Sequence, residues 1–148
     1  MNIKPPQSPV QVRVARSYTA SPERVYDAWF DTKTVGRWLF ATPNGKVVKA
    51  EIDARVGGLW CIVDERESGE VDHHGEYLEL IRPRRIVFTF TVEKHGRDTD
   101  RVVVEIIPQD TGCQLTLTHD MKPESADYSD RTREGWTHIL NALAKTLS

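Results

Sequence analysis

Most of this chain alternates between apolar and polar residues, and one long helical stripe follows near its end. The alternation is clear in Val10–Thr19 and again in Cys113–His119, where apolar side chains recur at every second position. Such a period of two is typical of strands with one buried face. In Ser129–Leu147 the apolar residues recur instead at spacings of three and four, which predicts an amphipathic helix. Because a sheet with one apolar face must cover that face, we expect the helix to lie against the sheet.

The rest of the chain supplies further strands and two short helices. The strands are predicted at Val10–Thr19, Val47–Ala54, Leu59–Glu65, Asp72–Ile81, Arg85–Glu93, Arg101–Ile107 and Cys113–His119. Ser21-Pro22 predicts a helix start, because serine caps free N–H groups and proline is tolerated at the first helical position. Asp31-Thr32 ends that helix and can cap a second one through Trp38. Hairpin-length spacing between the later strands predicts consecutive antiparallel pairing.

The predicted fold is therefore of the α+β class. In it, a curved antiparallel seven-stranded sheet wraps around a long C-terminal helix, and two short helices follow strand 1. A length of 148 residues fits one domain of common size. Residues 1–9 hold three prolines and are predicted to be a disordered tail, which leaves residues 10–148 as a single domain. Gly75 interrupts a predicted strand, which indicates a bulge or a close approach of another group to the backbone.

Charge and composition exclude several classes of partner. Twenty basic and 22 acidic residues are intermixed and give a net charge of -2, whereas binding to nucleic acid needs clustered Lys and Arg. No apolar run approaches the ~20 residues that cross a bilayer, and no signal peptide is recognisable. We therefore expect a cytoplasmic protein that binds neither nucleic acid nor membranes. Cys61 and Cys113 are expected to be reduced thiols.

Several short motifs resemble one known family. They are Arg16-x-Tyr18-x-Ala20-Ser21-Pro22-Glu23-x-Val25-Tyr26-x-Ala28-Trp29, Arg37-Trp38, Gly57-Gly58-x-Trp60, Gly75-x-Tyr77-x-Glu79, Pro83-x-Arg85-Ile86-Val87-Phe88-Thr89-Phe90, Leu115-Thr116-Leu117-Thr118-His119 and Gly135-Trp136-x-x-x-Leu140-x-x-Leu143. In order and spacing they resemble the family named for the activator of the heat-shock-protein-90 ATPase. That family lies within the START-like (SRPBCC) superfamily of birch-pollen-allergen proteins and polyketide cyclases. The resemblance implies the helix-grip fold and a cavity between sheet and helix.

The candidate ligand-binding residues are those expected to face this cavity. They are Trp38, Phe40, Trp60, Ile62, Tyr77, Phe88, Phe90, Val104, Leu117, His119, Trp136 and Leu140. Large aromatic side chains also fill the gap between a sheet and a helix well, so each of them is either cavity wall or ordinary core. His119 shares the inward face of Leu117. There its imidazole either orients a ligand or is satisfied by a backbone or acidic partner.

No cofactor or metal is predicted. His73 and His74 point to opposite faces of one strand, so they cannot hold one ion together. A site made from one of them with His119 and Glu76 is conceivable, but no ligand spacing repeats. The sequence also lacks a Ser-His-Asp order, a phosphate-binding glycine loop and a nucleotide fingerprint.

Three functions remain, in order of preference. The first is non-catalytic binding of a small, mostly apolar or amphipathic molecule in the cavity. The second is a cyclase- or hydrolase-like enzyme that uses His119 for proton transfer. The third is a chaperone accessory in the stress response, as the family's name implies. It ranks last because the residues expected on the outer face of the sheet, Val87, Thr89, Gln114, Thr116 and Thr118, are largely small and polar. A monomer and a homodimer are both left open.

Overall fold

The computed structural model describes residues 10–92 and 99–147. The elements are β1 (Val10–Tyr18), α1 (Pro22–Ala28), a 3₁₀ turn (Val35–Arg37), β2 (Lys46–Ile52), β3 (Leu59–Arg66), β4 (Gly69–Ile81), β5 (Arg85–Phe90), β6 (Asp100–Gln109), β7 (Gly112–Met121), a 3₁₀ segment (Pro123–Tyr128) and α2 (Ser129–Leu147). The predicted α+β helix-grip class is confirmed, and α2 has the predicted bounds. The predicted tail at residues 1–9 lies outside the described residues.

All seven strands form one antiparallel sheet in the order β1-β7-β6-β5-β4-β3-β2. Strands β2 to β7 each pair with their sequence neighbour, whereas β1 pairs with β7, so that Tyr18 lies opposite Cys113. The pairing of β4 with β5 shifts register between Tyr77 and Glu79. Such an extra residue bends a strand and increases its twist, which helps the sheet curl around α2.

Gly75 lies where two strands approach closely, as its position within a strand predicted. A Cβ atom built on Gly75 would overlap the carbonyl oxygen of Thr89 and lie 2.9 Å from Nε1 of Trp60. Only a residue without a side chain therefore fits here. Before Gly75 in the sequence, His74 of β4 forms only an isolated bridge with Thr91, the residue that follows β5.

The first helix begins as its sequence predicts. The Oγ of Ser21 accepts a hydrogen bond from the backbone N–H of Arg24 at 3.2 Å, and Pro22 occupies the first turn. The second short helix is shorter than predicted, because only the 3₁₀ turn at Val35–Arg37 forms. Trp38 follows that turn and is completely buried.

Helix α2 covers the concave face of the sheet with its apolar stripe. The buried members of that stripe are Trp136, Ile139, Leu140 and Leu143. They join a single core with side chains from α1 and from the sheet. The Tyr18 hydroxyl in β1 donates a hydrogen bond to the Leu140 carbonyl at 2.8 Å, which ties α2 to the strand beneath it. Across residues 10–92 and 99–147, no helix combines the length and apolarity needed to cross a bilayer.

Candidate functional site

A cleft of ≈ 240 Å³ opens between α2 and the sheet. Its walls come from β3, β4, β5, β7, α2 and the loop before β2, and they comprise Phe40, Ala41, Thr42, Arg66, His73, Phe90, His119, Thr132, Gly135, Trp136, His138 and Ile139. An apolar cavity of about 150 Å³ is known to bind benzene. Drug-sized ligands occupy clefts of roughly 300 Å³ or more. The cleft therefore fits a molecule of about one or two rings.

The structure places the residues proposed from the sequence in three groups, and Phe40 belongs to the first two. Those that line the cleft are Phe40, Phe90, His119 and Trp136. Those that surround a separate void of ≈ 10 Å³ are Phe40, Trp60, Ile62, Tyr77 and Phe88. Those that line neither space and lie buried in the core are Trp38, Val104, Leu117 and Leu140. The void holds one water molecule at most, so the room for a ligand lies in the cleft.

Phe40 is the central aromatic residue of the cleft. Its ring is nearly parallel to His73 (4.3 Å between centroids, 7°), to Trp60 (5.5 Å, 9°) and to Phe90 (5.4 Å, 21°). Trp136 meets it edge-on at 5.5 Å. The cleft therefore has a wall of stacked, planar side chains.

The backbone of Phe40 is strained. Its φ angle is 58°, in the left-handed region that bulky residues avoid at a cost of roughly 1–2 kcal/mol. Such a conformation persists only where surrounding contacts hold it, and it is concentrated at ligand clamps and active sites. The stacking contacts of the Phe40 ring offset this cost and hold the ring against the cleft.

His119 has both ring nitrogens engaged. The indole N–H of Trp136 donates to Nδ1 of His119 at 2.9 Å, and because indole is a donor only, Nδ1 carries no proton. The proton therefore lies on Nε2, which is 2.8 Å from a carboxylate oxygen of Asp100 and donates to it. His119 is buried. Its ring consequently offers a ligand an aromatic surface and no unpaired nitrogen.

His73 has the opposite character, because one of its nitrogens is unpaired. Nδ1 lies 3.1 Å from the backbone carbonyl oxygen of Ile62, which can only accept, so Nδ1 carries the proton and donates it. Nε2 then presents a lone pair, and within the described part of the chain it has no hydrogen-bond partner. Burial lowers the pKa of His73, which keeps the ring neutral near pH 7. The side chain is only 4% exposed and lines the cleft.

A buried carboxylate supports the polar edge of the cleft. Asp64 is 0% exposed and accepts from Arg66 Nε and from the Thr42 hydroxyl, each at 2.8 Å on the same oxygen. Its other oxygen has no partner among the residues that the structure describes. Arg66 and Thr42 both line the cleft. Because the positive charge of Arg66 compensates the negative charge of Asp64, the ion pair has a net charge close to zero.

The mouth of the cleft is positively charged. A wider depression of ≈ 600 Å³ adjoins it and shares Ala41, Thr42 and His138 with it. Arg37 and Lys145 also line this depression, and its described lining contains no acidic side chain. Cations on one side of a low-dielectric cleft raise the local concentration of anions. The mouth therefore favours the negatively charged end of a ligand.

Residues 19–148 match the family model described as "Activator of Hsp90 ATPase homolog 1-like protein". The chain belongs to this family. None of the curated proteins matches it. Similar solved structures include a protein from Chromobacterium violaceum at 27% identity (TM-score 0.81; 91% of this chain and 94% of that chain). Others are a protein from Rhodobacter sphaeroides at 20% identity (TM-score 0.83; 99% and 96%) and the AHSA1-like protein from Aeromonas hydrophila at 21% (TM-score 0.80; 93% and 92%). The last two, at these identities, support the fold alone.

Two polar residues of this family member were missed as site residues, although strand alternation contained a signal for both. The sequence predicts that Tyr77 faces inward. His73 precedes Tyr77 by four residues in the same strand, so alternation predicts that His73 faces inward as well. In β3, Asp64 follows the inward Trp60 and Ile62 by the same period. The described segments contain no group of three or more His, Cys, Asp or Glu side chains placed to hold a metal ion.

Proposed function

We propose that this protein binds a small, mostly apolar ligand in the cleft between α2 and the sheet. The observation that carries the proposal is the cleft itself, which combines stacked aromatic walls with a few convergent polar groups. Small-molecule sites generally have this composition, since apolar walls supply affinity and a small number of polar groups fix orientation. The family match is consistent with this role.

The alternative of a cyclase- or hydrolase-like enzyme has less support. Such an enzyme would use His119 for proton transfer, but both ring nitrogens of His119 are already hydrogen-bonded, to Trp136 and to Asp100. Nucleophilic thiol chemistry is also disfavoured, because burial raises the pKa of Cys61 to about 11 and raises that of Cys113 as well. Binding without catalysis therefore ranks first.

A chaperone contact is a further candidate because the matched family is named for the activator of the Hsp90 ATPase. We rank it below ligand binding, since the cleft has a definite chemistry and no described surface points to a particular protein partner. The cytoplasmic location, the role in the stress response and the choice between monomer and homodimer stay predictions.

The proposal can be tested by thermal unfolding with ligand classes that range from fatty acids to aromatic polyketides. Gly135 lines the cleft, and a Cβ atom on it meets no heavy atom within 4 Å. Gly135→Leu therefore places a large side chain at the wall of the cleft without a clash at its Cβ atom, and Gly135→Ala is its matched control.

We expect at least one class to raise the Tm of the wild type and of Gly135→Ala. A ligand at about 100 times its Kd stabilises by roughly 2.7 kcal/mol, which corresponds to several degrees for a protein of this size. The Gly135→Leu variant should respond much less. The proposal fails if no ligand class shifts the Tm, or if ligands raise the Tm of Gly135→Leu as much as that of Gly135→Ala.

A further inference from the structure

Resting on the proposed function, we infer that the ligand of the cleft is a planar aromatic acid that also carries a hydroxyl group. In this arrangement the ring system lies against Phe40, Phe90 and Trp136. The hydroxyl group donates a hydrogen bond to Nε2 of His73, and the carboxylate lies at the mouth near Arg37.

The aromatic character follows from the shape of the walls. Phe40, His73 and Phe90 present nearly parallel rings, and Trp136 closes the stack from its edge. A flat molecule can extend such a stack at the usual ring separations, with each aromatic pair adding to the effect of simple burial. A volume of ≈ 240 Å³ accommodates one or two fused rings.

The hydroxyl group follows from the unpaired nitrogen of His73. The His73 side chain is only 4% exposed and lines the cleft. Its hydrogen bond to the Ile62 carbonyl holds the ring in place. A bound molecule that covers this acceptor cuts it off from water, so a ligand donor that reaches Nε2 keeps the nitrogen hydrogen-bonded. A wholly apolar ligand would leave Nε2 both unpaired and sealed from water. The neutral ring accepts a hydrogen bond from a hydroxyl group, whereas it repels the lone pairs of a carboxylate.

The carboxylate follows from the distribution of charge. Inside the cleft, Arg66 is already paired with the buried Asp64. At the mouth, Arg37 lines the depression around Thr42 and His138, and the described lining of this depression contains no acidic side chain. The polar end of a bound molecule that points outward therefore enters a region that favours a negative group. This arrangement assigns the two polar groups of the ligand to opposite ends of its ring system.

Three matched probes test the inference by titration calorimetry on the full chain. They are hydroxynaphthoic acid with its two substituents on opposite rings, naphthoic acid, and the methyl ester of the hydroxy acid. We expect the hydroxy acid to bind most tightly. Loss of the hydroxyl should weaken binding about fivefold, as expected for one hydrogen bond. Loss of the negative charge should weaken binding by a similar factor, and added salt should reduce that difference.

Two variants assign these differences to residues. His73→Asn keeps an N–H donor for the Ile62 carbonyl and removes Nε2, while its own carbonyl oxygen lies one position closer to the backbone. The hydroxy acid and naphthoic acid should therefore bind this variant with nearly equal affinity. Arg37→Gln should narrow the difference between acid and ester and leave the hydroxyl effect unchanged. Because the comparison of probes is complete in the wild type, a variant that fails to fold does not affect the main result.

The outcomes separate this inference from the proposed function. If the ester and the acid bind equally and the hydroxyl has no effect, the ligand class is wrong while the cleft remains a binding site. The same conclusion follows if only aliphatic lipids bind and Gly135→Leu blocks them. If no compound of any class binds, both the inference and the proposed function are overturned.

Discussion

Replacing Gly135 by alanine is expected to stabilise this protein against unfolding. Gly135 lies inside α2, where glycine is unfavourable because the unfolded chain gains extra backbone freedom. A Cβ atom at this position meets no heavy atom within 4 Å, so the added methyl group neither clashes nor gains a contact. The whole effect is then the difference in intrinsic helix propensity, about 0.8–1.0 kcal/mol in favour of alanine.

The measurement is urea unfolding followed by far-UV circular dichroism, with thermal unfolding as a second readout. The midpoint should rise without a change in the m-value, because the surface exposed on unfolding is nearly the same. The Tm should rise by about 2–4 °C for a chain of this length.

Gly57→Ala provides the matched control. A Cβ atom on Gly57 also meets nothing within 4 Å, but the φ angle there is 84°. The same methyl group should therefore destabilise by about 1 kcal/mol, since L-residues are strained in that region. The reasoning is refuted if Gly135→Ala fails to stabilise the protein, or if the two variants change stability in the same direction.

Three further predictions concern the surroundings of the cleft. Gly75→Ala should destabilise by about 3 kcal/mol, because its methyl group would overlap the Thr89 carbonyl oxygen; a wild-type urea midpoint would contradict this. Trp136→Phe should cost about 1–3 kcal/mol in thermal unfolding by leaving Nδ1 of His119 unpaired, and an unchanged Tm would show that the bond contributes nothing. Burial lowers the pKa of His73 in the folded protein below its ordinary value of about 6.5. The stability carried by the neutral ring is therefore complete above about pH 6.5 and is lost as the pH falls through the lower pKa of the folded state. In urea titrations from about pH 8 to about pH 5, His73→Asn should therefore lose less stability than the wild type, and an equal loss would exclude this cause.

The fold was predictable because its signals are local. Helix α2 has the predicted bounds because its apolar residues repeat at helical spacing through the whole segment. The antiparallel pairing of β2 to β7 follows from short connections between successive strands. The second short helix was over-predicted, since Gly36 has low helix propensity and only one 3₁₀ turn forms before the buried Trp38.

The site was less predictable because it depends on contacts between distant segments. The inward direction of the aromatic residues follows from strand alternation. Phe90 borders the open cleft and Trp60 borders only a small void, and this difference depends on how side chains from distant segments fill the core. The left-handed backbone of Phe40 has no signal in its residue type. Strand alternation places Asp64 inward, but the contacts that compensate its buried charge, from Arg66 and Thr42, become visible only in the structure.

The pairing of β1 with β7 has a consequence for synthesis on the ribosome. Strands β3 to β6 can each pair with the strand before them as they emerge, because these contacts are close in sequence. The first strand emerges earliest, yet its partner β7 is made only after all the others. A nascent chain that stops before Gly112 therefore carries β1 as an unpaired strand with free backbone groups, which is a template for aggregation. The sheet should thus be completed only after β7 has emerged, and β1 should be the last strand to gain protection from hydrogen exchange.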